Sequence, residues 1–234
     1  MTPFLWGAWT RILLLVGCLF IVPAGLPAHA QSPDSTPTMH ILAFGDSLTA
    51  GYRLGPQKSF ASRLEAALLQ EGYDVRVTNA GISGDTTSAG RSRLAWSLED
   101  TPHLVILELG ANDALRGIDP AIIRDNLAAM IKACLATGSR VLLCGITPPG
   151  NFGPQYARTF SAMYEELAEQ FTIPLYPAFL KDILGNPRLT LDDGLHPNPQ
   201  GVDKMVANIL PQVTSLLDDI MSESVHSLEH DRPD

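Results

Sequence analysis

Ile41-Leu42-Ala43-Phe44-Gly45-Asp46-Ser47-Leu48 joins four consecutive apolar residues to a glycine and then to a polar triplet. The run is short and continuous rather than alternating, which predicts a strand buried on both faces, ended at Gly45. The same signature returns downstream. Val75–Val77 reads as a second strand, and Leu104–Leu107, Val141–Cys144 and Ile173–Tyr176 as the third, fourth and fifth. Helical spacing fills the intervals: Phe60, Leu64, Ala67 and Leu68 before Gly72, then Thr86–Leu98, then Ile123, Leu127, Met130, Ile131 and Cys134. Asp119 as N-cap, Pro120 at the first helical position and Gly138 as C-cap punctuate that third helix. Tyr156, Phe160, Met163, Leu167 and Phe171 mark a fourth face, and Asn198-Pro199 opens a last helix towards Leu217, with Pro211 as a bend. Strands each followed by a helix predict an α/β fold with a five-stranded parallel sheet covered on both faces. Ligands of such sheets bind beyond the carboxyl ends of the strands.

Four polar segments fall at that edge: Gly45–Leu48 after the first strand, Asn79–Thr86 after the second, Gly110–Asp113 after the third, and Asp193–Pro197 before the last helix. Acyl transfer needs a nucleophile, a base, a group that orients the base, and donors for the developing oxyanion. Each segment offers a candidate, and each has a plainer reading. Ser47 can cap a helix, Gly84 can be a turn glycine with Asp85 capping the next helix, Asn112 and Asp113 can be a capping pair, and His196 can be a solvated loop residue. Their joint occurrence at one edge is what points to catalysis.

The segments read GDSLTAGY (45–52), NAGISGDT (79–86), ELGANDALRG (108–117) and DDGLHPN (192–198). They resemble the four motif blocks of the SGNH, or GDSL, hydrolases, and more narrowly the bacterial periplasmic arylesterase, acyl-thioesterase and lysophospholipase group. The likeness spans about Met39 to Leu217. It implies a flavodoxin-like three-layer α/β/α sandwich and a serine mechanism without metal or cofactor. By that resemblance Ser47 is the nucleophile, His196 the base and Asp193 its orienting carboxylate, with Asp192 as the adjacent alternative. The Ser47 and Gly84 backbone N–H groups and the Asn112 side-chain amide are the implied oxyanion hole. The absence of Cβ at Gly84 suits a donor that approaches substrate closely. A GxSxG elbow is missing, since Leu48 and Thr49 follow Ser47. The glycines at 81, 84 and 90 form neither G-x-G-x-x-G nor a Walker loop.

Leu115, Ile118, Phe152 and Tyr156, with the loop after the fourth strand, are the expected acyl-binding residues. Expected substrates are small esters, thioesters or lysophospholipids, with transient lipid contact and a monomer as the default. A carbohydrate or cell-wall O-acetylesterase is the rival enzyme, and a non-catalytic binding protein the rival outside catalysis. The net charge of −9 and the lack of clustered Lys and Arg argue against nucleic acid. His40, His103, His226 and His230 show no metal-ligand spacing.

Residues 1–30 read as a secretory signal peptide: Arg11, an apolar run over Ile12–Val22, a break at Pro23, and Ala28-His29-Ala30 as the cleavage site. The run is about 11 residues, short of the roughly 20 that span a bilayer. This predicts a periplasmic or secreted protein, the alternatives being a lipoprotein anchored at Cys18 and an uncleaved anchor. Residues 31–38 read as a linker, 39–220 as the hydrolase domain and 221–234 as a polar tail. An oxidising compartment permits a Cys134–Cys144 disulfide, but both residues read better as small buried hydrophobes.

Overall fold

Continuous apolar strands cannot face water, and in the computed structural model, which describes residues 39–230, they become the centre of a parallel sheet. Strands β1 (Met39–Gly45), β2 (Val75–Gly81), β3 (Leu104–Glu108), β4 (Arg140–Cys144) and β5 (Leu175–Tyr176) lie in the order β2-β1-β3-β4-β5, all parallel. Every residue of β1 and β3 is buried, whereas the edge strand β2 alternates with exposed positions. This is the flavodoxin-like order, and the chain reverses direction across the sheet between β1 and β3. The crevice at that reversal is where a ligand is expected.

Helix α2 (Phe60–Gln70) packs with α7 (Pro199–His230). Helices α3 (Thr87–Ser97), α5 (Pro120–Ala136) and α6 (Gly153–Phe171) pack side by side as the other helical layer. Two short helices, α1 (Ser47–Ala50) and α4 (Ala111–Leu115), sit directly after β1 and β3. The register pairs Phe44 with Leu107 and Gly45 with Gly81, so the chain leaves β1, β2 and β3 at one level.

Local chemistry fixes the helix ends. Asp119 caps α5 by accepting from the Ala121 N–H, with Pro120 at the first position. Thr137 is the C-cap of that helix, and Gly138, expected there, takes the next position at φ +83°. Thr86, not Asp85, caps α3, accepting from the Ala89 N–H, while Asp85 pairs with Arg93 at 2.7 Å. Helix α7 runs well beyond Leu217 with Pro211 inside it, so residues 221–230, expected as tail, are helical. Leu217 and Ile220 are buried there, which is why the helix continues. Cys134 and Cys144 are free and buried. Burial pushes the Cys134 thiol up to about 12. Among the described residues no helix is long and apolar enough to cross a membrane. The signal-peptide and linker expectations, and Cys18, fall on residues outside the described ones.

Candidate active site

Ser47 opens α1, and Asp46 caps that helix, its Oδ1 accepting from the Leu48 N–H at 3.0 Å. The turn ends at Gly51, φ +81°. Ser47 is 9% exposed, at the floor of the crevice between β1 and β3. Its Oγ lies 2.9 Å from His196 Nε2. The other ring nitrogen, Nδ1, lies 2.8 Å from Asp193 Oδ2. An ionised carboxylate only accepts, so Nδ1 carries the proton and Nε2 is the acceptor for the serine hydroxyl.

The histidine loop is held by its own backbone. Asp193 Oδ1 accepts from the N–H groups of Leu195 at 2.9 Å and His196 at 3.0 Å. Those two donors, the His196 N–H foremost, hold the Asp193 carboxyl down at about 2. Leu191 N–H donates to the His196 carbonyl, and the Asn198 amide donates to the Arg188 and Thr190 carbonyls. The Tyr52 ring lies 4.4 Å from that of His196, centroid to centroid. Asp193 makes these contacts and Asp192 makes none of them.

Gly84 stands in the turn closed by the Asp85 N–H and the Ile82 carbonyl, at φ +88°. A Cβ there would meet nothing within 4 Å. Backbone conformation is therefore a reason for glycine at 84 that stands beside the approach to substrate expected from sequence. Gly110 has both reasons: φ +128°, and a Cβ would lie 2.3 Å from the Tyr164 hydroxyl. It starts α4 and thereby places Asn112 over the crevice. The Asn112 amide donates to Asp46 Oδ2 at 3.1 Å and to the Asp85 carbonyl at 3.0 Å, tying the ends of β1, β2 and β3 together. Asp113 turns the other way, accepting from Thr87 N and Oγ1. Among the described residues, the Ser47 and Gly84 N–H groups have no acceptor within the protein.

Beside Ser47 and His196 runs a groove of about 200 Å³. It is lined by Ala111 and Leu115 of α4, by Ile146–Pro149, and by Leu180, Leu184 and Leu195. Leu115, Leu184 and Leu195 are 51%, 41% and 48% exposed at its rim. Of the four expected acyl-binding residues only Leu115 lines this groove, joined by Pro148 and Pro149 of the expected loop. Ile118, Phe152 and Tyr156 stand outside it: the Tyr156 hydroxyl donates to the Ile118 carbonyl, and the Phe152 ring tilts against Tyr156, which stacks on Phe160. Phe152 lies over Gly117, where a Cβ would come within 2.6 Å of its ring. Leu180, Leu184 and Leu195 escape sequence reading because they come from irregular chain with no periodicity. Asp46 and Glu108 beneath the site escape it too, because an acid beside a glycine turn has the same pattern in sequence whether it is buried or solvated. Among the described residues no group of His, Cys, Asp or Glu is arranged to hold a metal.

A model of the GDSL-like lipase/acylhydrolase family matches residues 43–204. Esterase TesA of Pseudomonas aeruginosa is 40% identical over 208 residues, covering 88% of this chain and 100% of that protein. The thioesterase 1/protease 1/lysophospholipase L1 of Escherichia coli (strain K12) is 38% identical over 180 residues, covering 74% and 84%. The crystal structure of AlinE4, an SGNH-hydrolase family esterase, superposes with a TM-score of 0.65 at 41% identity, covering 77% of this chain and 97% of that one. With all four motif segments gathered at one sheet edge, the chain belongs to the GDSL-like lipase/acylhydrolase family.

Proposed function

We propose that this carboxylic ester hydrolase is exported and cleaves aryl esters, acyl thioesters and lysophospholipids through Ser47, His196 and Asp193. One observation carries the reading: the hydrogen-bonded series Ser47 Oγ, His196 Nε2, His196 Nδ1, Asp193 opens onto a groove with aliphatic walls. Ser47 Oγ attacks the ester carbonyl while its proton passes to His196 Nε2. Asp193 stabilises the imidazolium that forms. The carbonyl oxygen, now negative, takes the free N–H groups of Ser47 and Gly84, and Asn112 turns one amide hydrogen to it. Collapse expels the alcohol or thiol, which receives the proton from His196. Water then attacks the acyl-serine as His196 again takes a proton, and collapse releases the acid and expels Ser47 Oγ, which receives that proton back from His196.

Acyl placement follows from burial. The groove beside Ser47 offers aliphatic surface, which is worth about 25 cal/mol for each Å² of chain removed from water. That favours acyl groups longer than acetyl over the O-acetylesterase alternative, whose substrate would leave the walls wet. Export is supported by the residue pattern of positions 1–30.

The test is hydrolysis of p-nitrophenyl esters of increasing acyl length by the wild type and Ser47→Ala. The expected result is activity that rises beyond acetate and is lost in Ser47→Ala. Activity confined to acetate would favour the acetylesterase, and a Ser47→Ala variant as active as wild type would remove Ser47 as nucleophile.

A further inference from the structure

Beneath the nucleophile lies a second carboxyl that the mechanism does not use. Glu108, the last residue of β3, is 0% exposed. Its Oε2 accepts from the Thr49 hydroxyl at 2.8 Å and from the Asp46 N–H at 3.3 Å. These two donors bracket Ser47 in sequence, so one oxygen holds both sides of the nucleophile turn. The fit leaves no slack: a Cβ at Gly45 would come within 2.5 Å of the same oxygen. Oε1 has no hydrogen-bond partner. Among the described ion pairs none involves Glu108; Arg93, the nearby cation of this edge, is committed to Asp85 and to the Gly45 carbonyl.

We propose that Glu108 is a positioning residue: an uncharged carboxylic acid that fastens the Ser47 turn to the end of β3. A buried carboxylate without a cation is costly, and such a group takes up a proton instead. Its neighbours make the same demand from every side. Asp46 faces it from the β1–α1 junction, Asp113 lies beyond on α4, and Cys144 and Tyr164 border it from β4 and α6, none of them a cation. Each carboxyl has two donors, but Asp46 has one on each oxygen, from Leu48 N–H and the Asn112 amide, whereas both donors to Glu108 fall on Oε2, the Asp46 N–H at a long 3.3 Å, and leave Oε1 bare. The charge therefore rests on Asp46 and the proton on Glu108. Burial first, and Asp46 second, hold the Glu108 carboxyl well above the ordinary range.

The consequence for chemistry is electrostatic. An anion at Glu108 would add a second negative charge under the oxygen that becomes negative on attack, and would oppose it across a region of low dielectric. A neutral carboxyl keeps both acceptor contacts without that penalty. Glutamine has the same shape, the same acceptor and no charge, so it should replace glutamate in function. Alanine removes the acceptor and leaves two buried donors unpaired, which is costly.

The proposal rests on Ser47 as the nucleophile, and its test separates the two. The infrared spectrum of wild type minus Glu108→Gln, recorded at pH 8 in D₂O, should contain the carbonyl stretch of one protonated carboxylic acid; this readout needs no activity. Kinetics on p-nitrophenyl esters should then give Glu108→Ala a kcat about 10- to 100-fold down with KM little changed. Glu108→Gln should recover kcat to within about threefold of wild type. A carboxylate band in place of the protonated one would overturn the uncharged state. A glutamine variant as impaired as alanine, or a loss carried in KM, would overturn the positioning role. If Glu108→Ala fails to fold, the glutamine variant and the spectrum still decide. Absence of activity in wild type itself would instead strike the esterase reading.

Discussion

Asn112 has two amide hydrogens, and in the resting enzyme both are engaged, one on Asp46 and one on the Asp85 carbonyl. In the proposed mechanism its hydrogen bond to the oxyanion is thus gained only as charge develops, which is the condition for raising kcat rather than merely tightening binding. Asn112→Ala should lower kcat by about 10²–10³ with KM nearly unchanged in steady-state ester hydrolysis. The carboxylate question is decided at the same scale. Asp193→Asn puts an amide where Nδ1–H needs an acceptor and reverses the tautomer, so a kcat loss on the order of 10³–10⁴ is expected. Asp192→Asn, with none of those contacts, should stay within about twofold. The opposite ranking would reassign the role to Asp192.

Elements explain which parts of this arrangement are legible in sequence. A parallel sheet buries both faces of its strands, so β1, β3 and β4 announce themselves as unbroken apolar runs, and the rule for the carboxyl edge then gathers the four polar segments. Cap chemistry is readable where one residue type dominates, as at Asp119-Pro120, and ambiguous where two candidates adjoin, as at Asp85-Thr86. The groove wall is not readable, because the chain between β5 and α7 has neither period, and three leucines there look like any others. Phe152 and Tyr156 mislead for the converse reason: aromatic residues after β4 suggest a pocket, yet Tyr156 donates to the Ile118 carbonyl and Phe152 lies over Gly117, so the two tie the start of α6 to the chain before α5. The groove assignment makes a discriminating pair of variants. Leu184→Ala removes three carbons that are about half exposed, which at about 0.8 kcal/mol per buried CH₂ predicts a five- to tenfold fall in kcat/KM. The fall should appear for long acyl esters and not for acetate. Phe152→Ala should leave the chain-length profile flat relative to wild type. A profile altered by Phe152→Ala and untouched by Leu184→Ala would move the acyl site to the Phe152 and Tyr156 aromatics.

At the scale of the whole molecule, the buried acids beneath Ser47 tie catalysis to stability. Burial pushes the Asp46 carboxyl up to about 6 from an ordinary 3.8, against the pull of the Leu48 N–H and the Asn112 amide. A carboxyl raised in this way binds its proton more tightly in the folded chain than in the unfolded one. Its contribution is therefore fully present at low pH and is lost as the pH rises from about 4 through 6. Two other groups run the opposite way. Asp193, held down to about 2, gives stability that is lost only as the pH falls below about 4. His40, pushed down chiefly by burial, gives stability that grows as the pH rises through the ordinary histidine range. Because His40 overlaps the Asp46 window, the wild-type curve alone mixes the two. Comparison with Asp46→Asn removes the His40 contribution, which is common to both proteins, and reports the buried Asp46–Glu108 pair, since Asp46 is one cause of the upward push on Glu108. Urea unfolding from pH 4 to pH 7 should show the wild type losing stability relative to Asp46→Asn by at most about 3 kcal/mol, at 1.36 kcal/mol per pH unit. Esterase activity should move against this trend, because asparagine at 46 sets an amide against the Asn112 amide and releases that side chain from its place. A wild type that holds a constant stability margin over Asp46→Asn across this range would mean that Asp46 is not strained by burial, and that the acidic pair is an ordinary polar contact.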